Sequence, residues 1–272
     1  MKEIDLEHGY ILSPFFHDAY DSCPEAFLDG LMGRGLCDSL EQPDYGIVQM
    51  GHYCYLGGNG YGLEKKNLLS IVETMVQRPY IVFVPLSESW DRLLFEDASF
   101  QKITRYAMDK PKLQYFNPKL LASYISEIAY DPNYVGSTIS RRYTIKPINE
   151  IYYYLIQKQE WTQEFTTNYK DYATFARYGF GFIIIEGNTG KIAAISSSFS
   201  TSKNSIEIEL ATSPRYRKRG FGTAVAARMI LECLNRKMFP RWDAANLISV
   251  KIAEKLGFTF IEEYSSYTRS RL

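Results

Sequence analysis

The chain has 272 residues, of which 46% are hydrophobic, 15% aromatic and 23% charged, a composition that excludes a disordered protein. Lysine plus arginine number 31, as do aspartate plus glutamate, and the zero formal charge argues against a surface built wholly for nucleic acid. The balance hides an asymmetry: residues 1–140 carry 11 basic and 19 acidic side chains, net −8, and residues 141–272 carry 20 and 12, net +8.

The first half reads as mixed α and β. Its start, Met1-Lys2-Glu3-Ile4-Asp5, has no apolar h-region, so no secretory signal is expected. Residues 45–55 read as a strand, and Gly57, Gly58, Gly60 and Gly62 as a turn-rich loop whose spacing fits neither a dinucleotide fingerprint nor a Walker loop. Residues 68–76 read as a helix and 80–86 as a strand. Residues 90–108 read as one long helix with Trp90, Leu93, Leu94, Ile103 and Tyr106 inward, and 120–128 as another. Asp131-Pro132-Asn133 marks a loop, and a boundary is expected between Tyr130 and Arg142. This gives an N-terminal mixed α/β domain, 1–140, and a second domain, 141–272. No internal repeat is visible.

The second half has a steadier rhythm. Residues 143–148 read as a strand, 150–159 and 169–178 as helices. Residues 181–185, 191–199 and 205–212 read as three strands, the first two joined by a hairpin turn at 186–190. In the third, Ile206, Ile208 and Leu210 alternate with Glu207, Glu209 and Ala211, which is period two. The serine-rich stretch 196–205 is read as small strand residues and a polar turn. Cys23, Cys37, Cys54 and Cys233 form no CxxC pair and no metal-ligand spacing, so they are read as reduced thiols of a cytoplasmic protein with no metal centre. The apolar runs are far too short to span a membrane.

The informative segment follows that third strand. Thr212-Ser213-Pro214-Arg215-Tyr216-Arg217-Lys218-Arg219-Gly220-Phe221-Gly222-Thr223 leaves a strand, turns basic, passes two glycines and enters a helix at about Gly222 to Lys237. The first turn of a helix has N–H groups with no intrahelical partner and carries partial positive charge. Glycines let the backbone approach a ligand closely. Strand, basic glycine loop and helix together make a cradle for phosphate.

This segment resembles the acetyl-CoA-binding motif of the GNAT acyltransferases, (Gln/Arg)-x-x-Gly-x-(Gly/Ala), which stands here as Arg217-x-x-Gly220-x-Gly222. A second block is similar to the family's Asn-x-x-(Ala/Ser), apolar helix and Lys-x-Gly-Phe: Asn246, Ser249 and Lys255-Leu256-Gly257-Phe258. Asn246 is also a good helix N-cap and Gly257 a good helix stop. The resemblance covers residues 143–268. It implies an α/β, GNAT-like mixed sheet in which the strand ending at Thr212 splays from a short strand at 239–244. The pantetheine arm would lie in the gap against Leu210, Ala211 and Thr212. Backbone from Arg217, Lys218, Arg219, Gly220, Phe221, Gly222 and Thr223 would hold the pyrophosphate, with Asn246 and Ser249 on the far side. The implied reaction passes an acetyl group directly from acetyl-CoA to an amine, small molecule or peptide, with no nucleic acid and no membrane involved.

Direct transfer needs a neutral amine, hence a general base or a water chain. Glu209 and Glu207 are the candidates on the resembling strand, with Asp243 third; the competing reading makes both glutamates a solvated strand face. His8, His17 and His52 all lie in the first half, which leaves no local histidine unless the halves meet at the site. The family's usual acid, a tyrosine two residues before the lysine of the second block, is Ala253 here, and only one strand's length of chain follows Phe258. Two further readings therefore stand beside the transferase: a CoA-binding sensor without catalysis, and a tandem GNAT-like aminoacyltransferase whose first half is a degenerate second lobe.

Overall fold

The computed structural model describes residues 1–61, 63, 65–76, 78–109, 111–127, 143–187 and 189–270, so the expected boundary at 130–142 lies outside the described residues. Two stretches of chain repeat one order of elements. The first lobe runs β1 (Lys2–Ile4), a 3-10 turn, α1 (Ser13–Phe16), α2 (Cys23–Leu28), β2 (Arg34–Cys37), β3 (Tyr45–Met50), β4 (Tyr53–Gly58), α3 (Lys65–Met75), β5 (Tyr80–Pro85), α4 (Glu88–Phe95) and β6 (Gln101–Met108). Helix α5 (Pro118–Glu127) follows. The second lobe runs β7 (Tyr143–Pro147), α6 (Glu150–Gln157), α7 (Tyr172–Tyr178), β8 (Gly181–Glu186), β9 (Ile192–Thr201), β10 (Ser205–Thr212), α8 (Phe221–Arg236), β11 (Phe239–Arg241), β12 (Asp243–Ala244), α9 (Leu247–Leu256) and β13 (Phe260–Ser270). In both, a strand, two helices, three strands, a helix, a strand (two short ones, β11 and β12, in the second lobe), a helix and a last strand succeed one another. The repeat is one of topology, which is why residue-by-residue reading does not see it.

Among the described residues one sheet has the order β1-β2-β3-β4-β5-β13-β6-β12 and the other β11-β10-β9-β8-β7. The last strand of the second lobe is thus inserted into the sheet of the first. Tyr267 to Ser270 pair with Phe83 to Tyr80 of β5, and the other edge of β13 pairs with β6 from Phe260–Met108 to Thr268–Gln101. Strand β12 adds at the outer edge of β6, Asp243 opposite Ala107. One apolar core runs between the lobes, joining Leu12, Phe16 and Phe27 to Tyr153, Phe175, Ile195 and Phe199. No helix of the described residues is long and apolar enough to cross a membrane.

Three expectations change. The stretch 45–55 is a hairpin, β3 and β4, turning at Gly51 with φ +59°. Gly57 and Gly58 close β4 rather than lying in a loop. The stretch 90–108 is a short helix, α4, and a strand, β6. Asp97 divides them: its Oδ1 accepts from Ser99 N–H at 2.7 Å and its carbonyl from Phe100 N–H at 3.0 Å, a local turn that competes with helix. The alternation of β6 escapes notice because its inward residue Arg105 is charged, yet only 7% exposed.

Candidate active site

The two lobes treat their equivalent strand pairs differently. In the first, β4 and β5 run parallel and stay paired from Tyr53–Val82 to Leu56–Pro85. Trp90 seals the end of that seam: its Nε1–H donates to Gly57 O at 3.2 Å, and a Cβ on Gly60 would meet its ring at 2.7 Å. In the second, β10 and β11 pair only over Ser205, Ile206 and Glu207. The register of β10 shifts after Glu207, and the chain beyond Arg241 departs to join β6. A wedge opens there, as the resemblance implies.

One wall of the wedge is backbone. Ser213 N–H donates to Ala193 O at 3.0 Å, so Ala211 also faces β9. By alternation, the N–H and C=O of Leu210 and Thr212 face the wedge. Arg217 Nε–H donates to Thr212 O at 3.3 Å, which draws the basic loop onto the strand end. Lys218 and Gly220 take left-handed φ of +60° and +78°, and α8 then begins at Phe221 with no side-chain cap on its first N–H groups. The side chains of Arg217, Lys218 and Arg219 are exposed, and Arg219 lies over the Tyr143 and Phe221 rings at 5.0 Å each. Gly222 is buried; a Cβ there would lie 3.1 Å from Thr212 Oγ1. Opposite, Asn246 Oδ1 accepts from Ser249 N–H at 3.0 Å, the N-cap of α9, and Ser249 Oγ accepts from Trp242 Nε1–H at 3.0 Å.

The wedge leads into a cavity of about 250 Å³ lined by Ile208, Glu209, Leu210 and Ser249 and, across it, by first-lobe residues including Asp21, His52, Tyr53, Tyr80 and Arg105. Both candidate glutamates face this lobe interface, so neither lies on a solvated face. Glu207 is 6% exposed and fully engaged: its Oε2 accepts from Ser22 N–H and Oγ–H, both at 3.0 Å, and its Oε1 from Asp243 N–H at 3.0 Å. It clamps α2 and β12 to β10. Glu209 differs. Its Oε2 is buried with no hydrogen-bond partner, and burial pushes its carboxyl up to about 8, with Glu164 adding and Arg78 opposing. A carboxyl tuned this close to neutrality suits a general base.

The first lobe brings what the motifs could not announce. His52 sits in the cavity wall, Nδ1 3.5 Å from Glu164 Oε2 and Nε2 3.5 Å from Tyr80 Oη. Burial, with Arg105 and Arg78 adding, holds its imidazole down at about 3, so it is neutral at pH 7. Arg105 Nε–H donates to Asp243 Oδ2 at 2.6 Å and its Nη1–H to Tyr53 Oη at 2.9 Å. Asp21 Oδ2 accepts from Tyr55 Oη–H at 2.6 Å. Ala253 is fully buried in the core beneath α8. Tyr264 and Tyr267, close to it in sequence, belong to β13: Tyr264 stacks on Tyr20 with centroids 4.1 Å apart, and Tyr267 Oη–H donates to Asp91 Oδ1 at 2.9 Å. Neither lines the cavity.

Comparison with known proteins agrees with this architecture. A GCN5-related N-acetyltransferase-like protein from Streptococcus suis 89/1591 superposes with a TM-score of 0.81 at 26% identity, over 98% of this chain and 100% of that one. A tandem GNAT protein from the clavulanic acid biosynthesis pathway shares the fold at TM-score 0.53 and 11% identity, over 97% of this chain and 93% of that one. An uncharacterised N-acetyltransferase of Bacillus subtilis (strain 168) is 35% identical over 95 residues, a match spanning 34% of this chain and 36% of that relative. The family profile described as GNAT acetyltransferase matches residues 13–267, taking in the first lobe that the sequence motifs left uncovered. Motifs, wedge and both lobes lead to one conclusion: the chain belongs to the GNAT acetyltransferase family.

Proposed function

We propose that this protein is an acetyl-CoA-dependent N-acetyltransferase whose amine acceptor binds between the lobes. The observation that carries the reading is the parting of β10 from β11 at Glu207, beside the uncapped start of α8. The residues present fit the cofactor. The loop 217–223 offers left-handed backbone, uncapped N–H groups and a buried glycine, and the N–H and C=O of Leu210 and the N–H of Thr212 offer an open backbone edge. Ser249 lines the cavity, and Asn246, the N-cap of the same helix, offers its Nδ2 amide as a further donor to the cofactor in this reading.

Acetyl-CoA supplies an acetyl group activated as a thioester. Glu209 Oε2 removes a proton from the acceptor ammonium and so frees the nitrogen lone pair. The N–H of Leu210, turned into the wedge, is a donor for the oxygen on which charge develops. Arg105 holds the Tyr53 hydroxyl in the cavity through an N–H···O bond, which leaves the phenolic proton free to pass to the leaving sulfur as the C–N bond forms and the C–S bond breaks; the surplus proton of the new amide nitrogen then returns to the phenolate. Glu207 holds the walls together and takes no proton in this scheme. The catalytic reading is preferred over a sensor because Glu209 Oε2, in the cavity wall, is buried with no hydrogen-bond partner.

The test is calorimetric titration with acetyl-CoA, then thiol release with a panel of amines. Wild type is expected to bind and to release thiol only when an acceptor is present. Gly222→Val, checked for an unchanged circular-dichroism spectrum, is expected to weaken binding more than tenfold, on the order of 1.4 kcal/mol or more. Unchanged affinity would show that the loop is not the pyrophosphate site, and binding without thiol release across a wide panel would favour the sensor.

A further inference from the structure

We infer that the acceptor is a small cationic amine carrying no carboxylate or phosphate, gripped by an aromatic wall and an acidic floor that the two lobes build together. The inference deepens the transferase reading of the same cavity and rests on it.

The wall is a continuous aromatic surface. His52 lies 4.3 Å from Tyr53 and 4.7 Å from Tyr80 between ring centroids, and Tyr53 meets Phe199 at 5.5 Å and 87°. The imidazole is neutral, so the wall brings no positive charge. Faces of such rings attract cations. The floor is carboxylic: Asp21, Glu207, Glu209 and Asp243 all line the cavity. Against them stands one permanent cation among the described lining residues, Arg105, whose guanidinium already serves Asp243 and Tyr53. Farther out, Arg78 is bound to Thr167 and lies 3.7 Å from Glu164. An acceptor bearing an acid group would therefore meet carboxyls and no unengaged cation on the described cavity wall. An ammonium would meet ring faces and the unpartnered Glu209 Oε2. The cavity, about 250 Å³, has room for a small acceptor.

The electrostatics give this site a second signature. Glu209 faces Glu207 along its own strand, Asp243 across the wedge, and Asp21, His52, Tyr53, Tyr80 and Arg105 of the first lobe, with Glu164 and Arg78 beyond. Burial raises the carboxyls of Asp21, Glu207 and Glu209; Asp21 and Asp243 raise Glu207 further, and Glu164 raises Glu209 further. A bound cation favours the ionised form. Its binding is therefore accompanied by proton release below pH 8, and its affinity rises between pH 6 and 8.

The experiment pairs decarboxylated amines with their parent amino acids: phenethylamine with phenylalanine, tyramine with tyrosine, putrescine with ornithine, cadaverine with lysine. Thiol release is followed with the wild-type chain and acetyl-CoA. Trimethylammonium analogues of the amines, which cannot be acetylated and keep their charge at every pH, are titrated calorimetrically in two buffers of different ionisation enthalpy. In each pair that is turned over, the decarboxylated amine is expected to be at least tenfold better. At least one analogue is expected to bind with proton release, and Glu209→Gln is expected to weaken it about tenfold while leaving acetyl-CoA affinity unchanged. Preference for the acid-bearing partner, or no binding by any analogue, would overturn the inference. Analogue binding with proton release but no transfer would uphold the cation site and remove the transferase reading, which separates the two failures.

Discussion

At the scale of single residues the decisive contrast is between two glutamates on one strand. Glu207 and Glu209 share a face of β10, yet three donors occupy the first and none reaches Oε2 of the second. The consequences are opposite. Glu209→Gln is expected to lower kcat/KM ~100-fold or more, the usual span for a lost general base. In wild type, kcat/KM is expected to climb with pH and level off above about 8, the value to which burial pushes that carboxyl, and the variant is expected to lose this limb. Stability reports the same group with its own sign. The carboxyl stays neutral when folded and ionises near 4.5 when unfolded, so its contribution is full below about 4.5 and lost as pH rises to about 8. Glu209→Gln is therefore expected to raise Tm relative to wild type at pH 8 and to leave it nearly unchanged at pH 4. A loss of stability at pH 8 would mean that the carboxylate is paired in solution. Glu207→Gln should behave differently, because it breaks a buried clamp: lower Tm at every pH is the expected reading.

Among the elements, α9 is where an observed structural role and a proposed ligand role fall on one residue. Asn246 Oδ1 caps the helix by accepting from Ser249 N–H, and Gly257 ends it with φ +107°. Removing such a cap costs about 1 kcal/mol. Asn246→Ala is expected to lower stability by that amount and to weaken acetyl-CoA together with it. Asn246→Asp keeps the cap oxygen and loses only the Nδ2 donor, so stability near wild type with weaker acetyl-CoA binding is expected. Full affinity in Asn246→Asp would show that the amide touches no ligand. Features of this kind are legible in a sequence because their physics is short-ranged: a cap and its N–H lie three residues apart, and the Gly220–Gly222 loop is local too. The first-lobe half of the site was not legible. Asp21, His52, Tyr53 and Tyr80 come to Glu209 only through packing between segments more than a hundred residues apart. One local signal did point there: the glycines Gly57 and Gly58 end β4 and Gly60 follows it before a helix, as Gly220 and Gly222 follow β10. Read together, the two turns are the trace of the repeat.

For the whole molecule, the placement of β13 decides how the chain unfolds. An isolated first lobe would have β5 and β6 with no strand between them, because β13 supplies that ladder to both. It would also lose Tyr267, 1% exposed, from beneath Trp90 and Phe83. The second lobe in isolation would leave both edges of β13 and the edge of β12 unpaired, a set of backbone groups that must find partners elsewhere. The buried Arg105–Asp243 pair ties the lobes again, β6 to β12, and breaking such a pair by removing one member costs roughly 3–5 kcal/mol. The tandem topology thus does not make two independent units. Calorimetry of the intact chain is expected to show one transition with equal calorimetric and van't Hoff enthalpies. A chain ending before Phe260 is expected to lose that transition altogether rather than only the part belonging to the second lobe. Two resolved transitions, or a truncated chain whose first lobe still melts cooperatively, would mean that each lobe closes its own sheet in solution. The cavity is built from both lobes, so the same truncation is expected to abolish acceptor binding even where the 217–223 loop, the proposed acetyl-CoA site, is untouched.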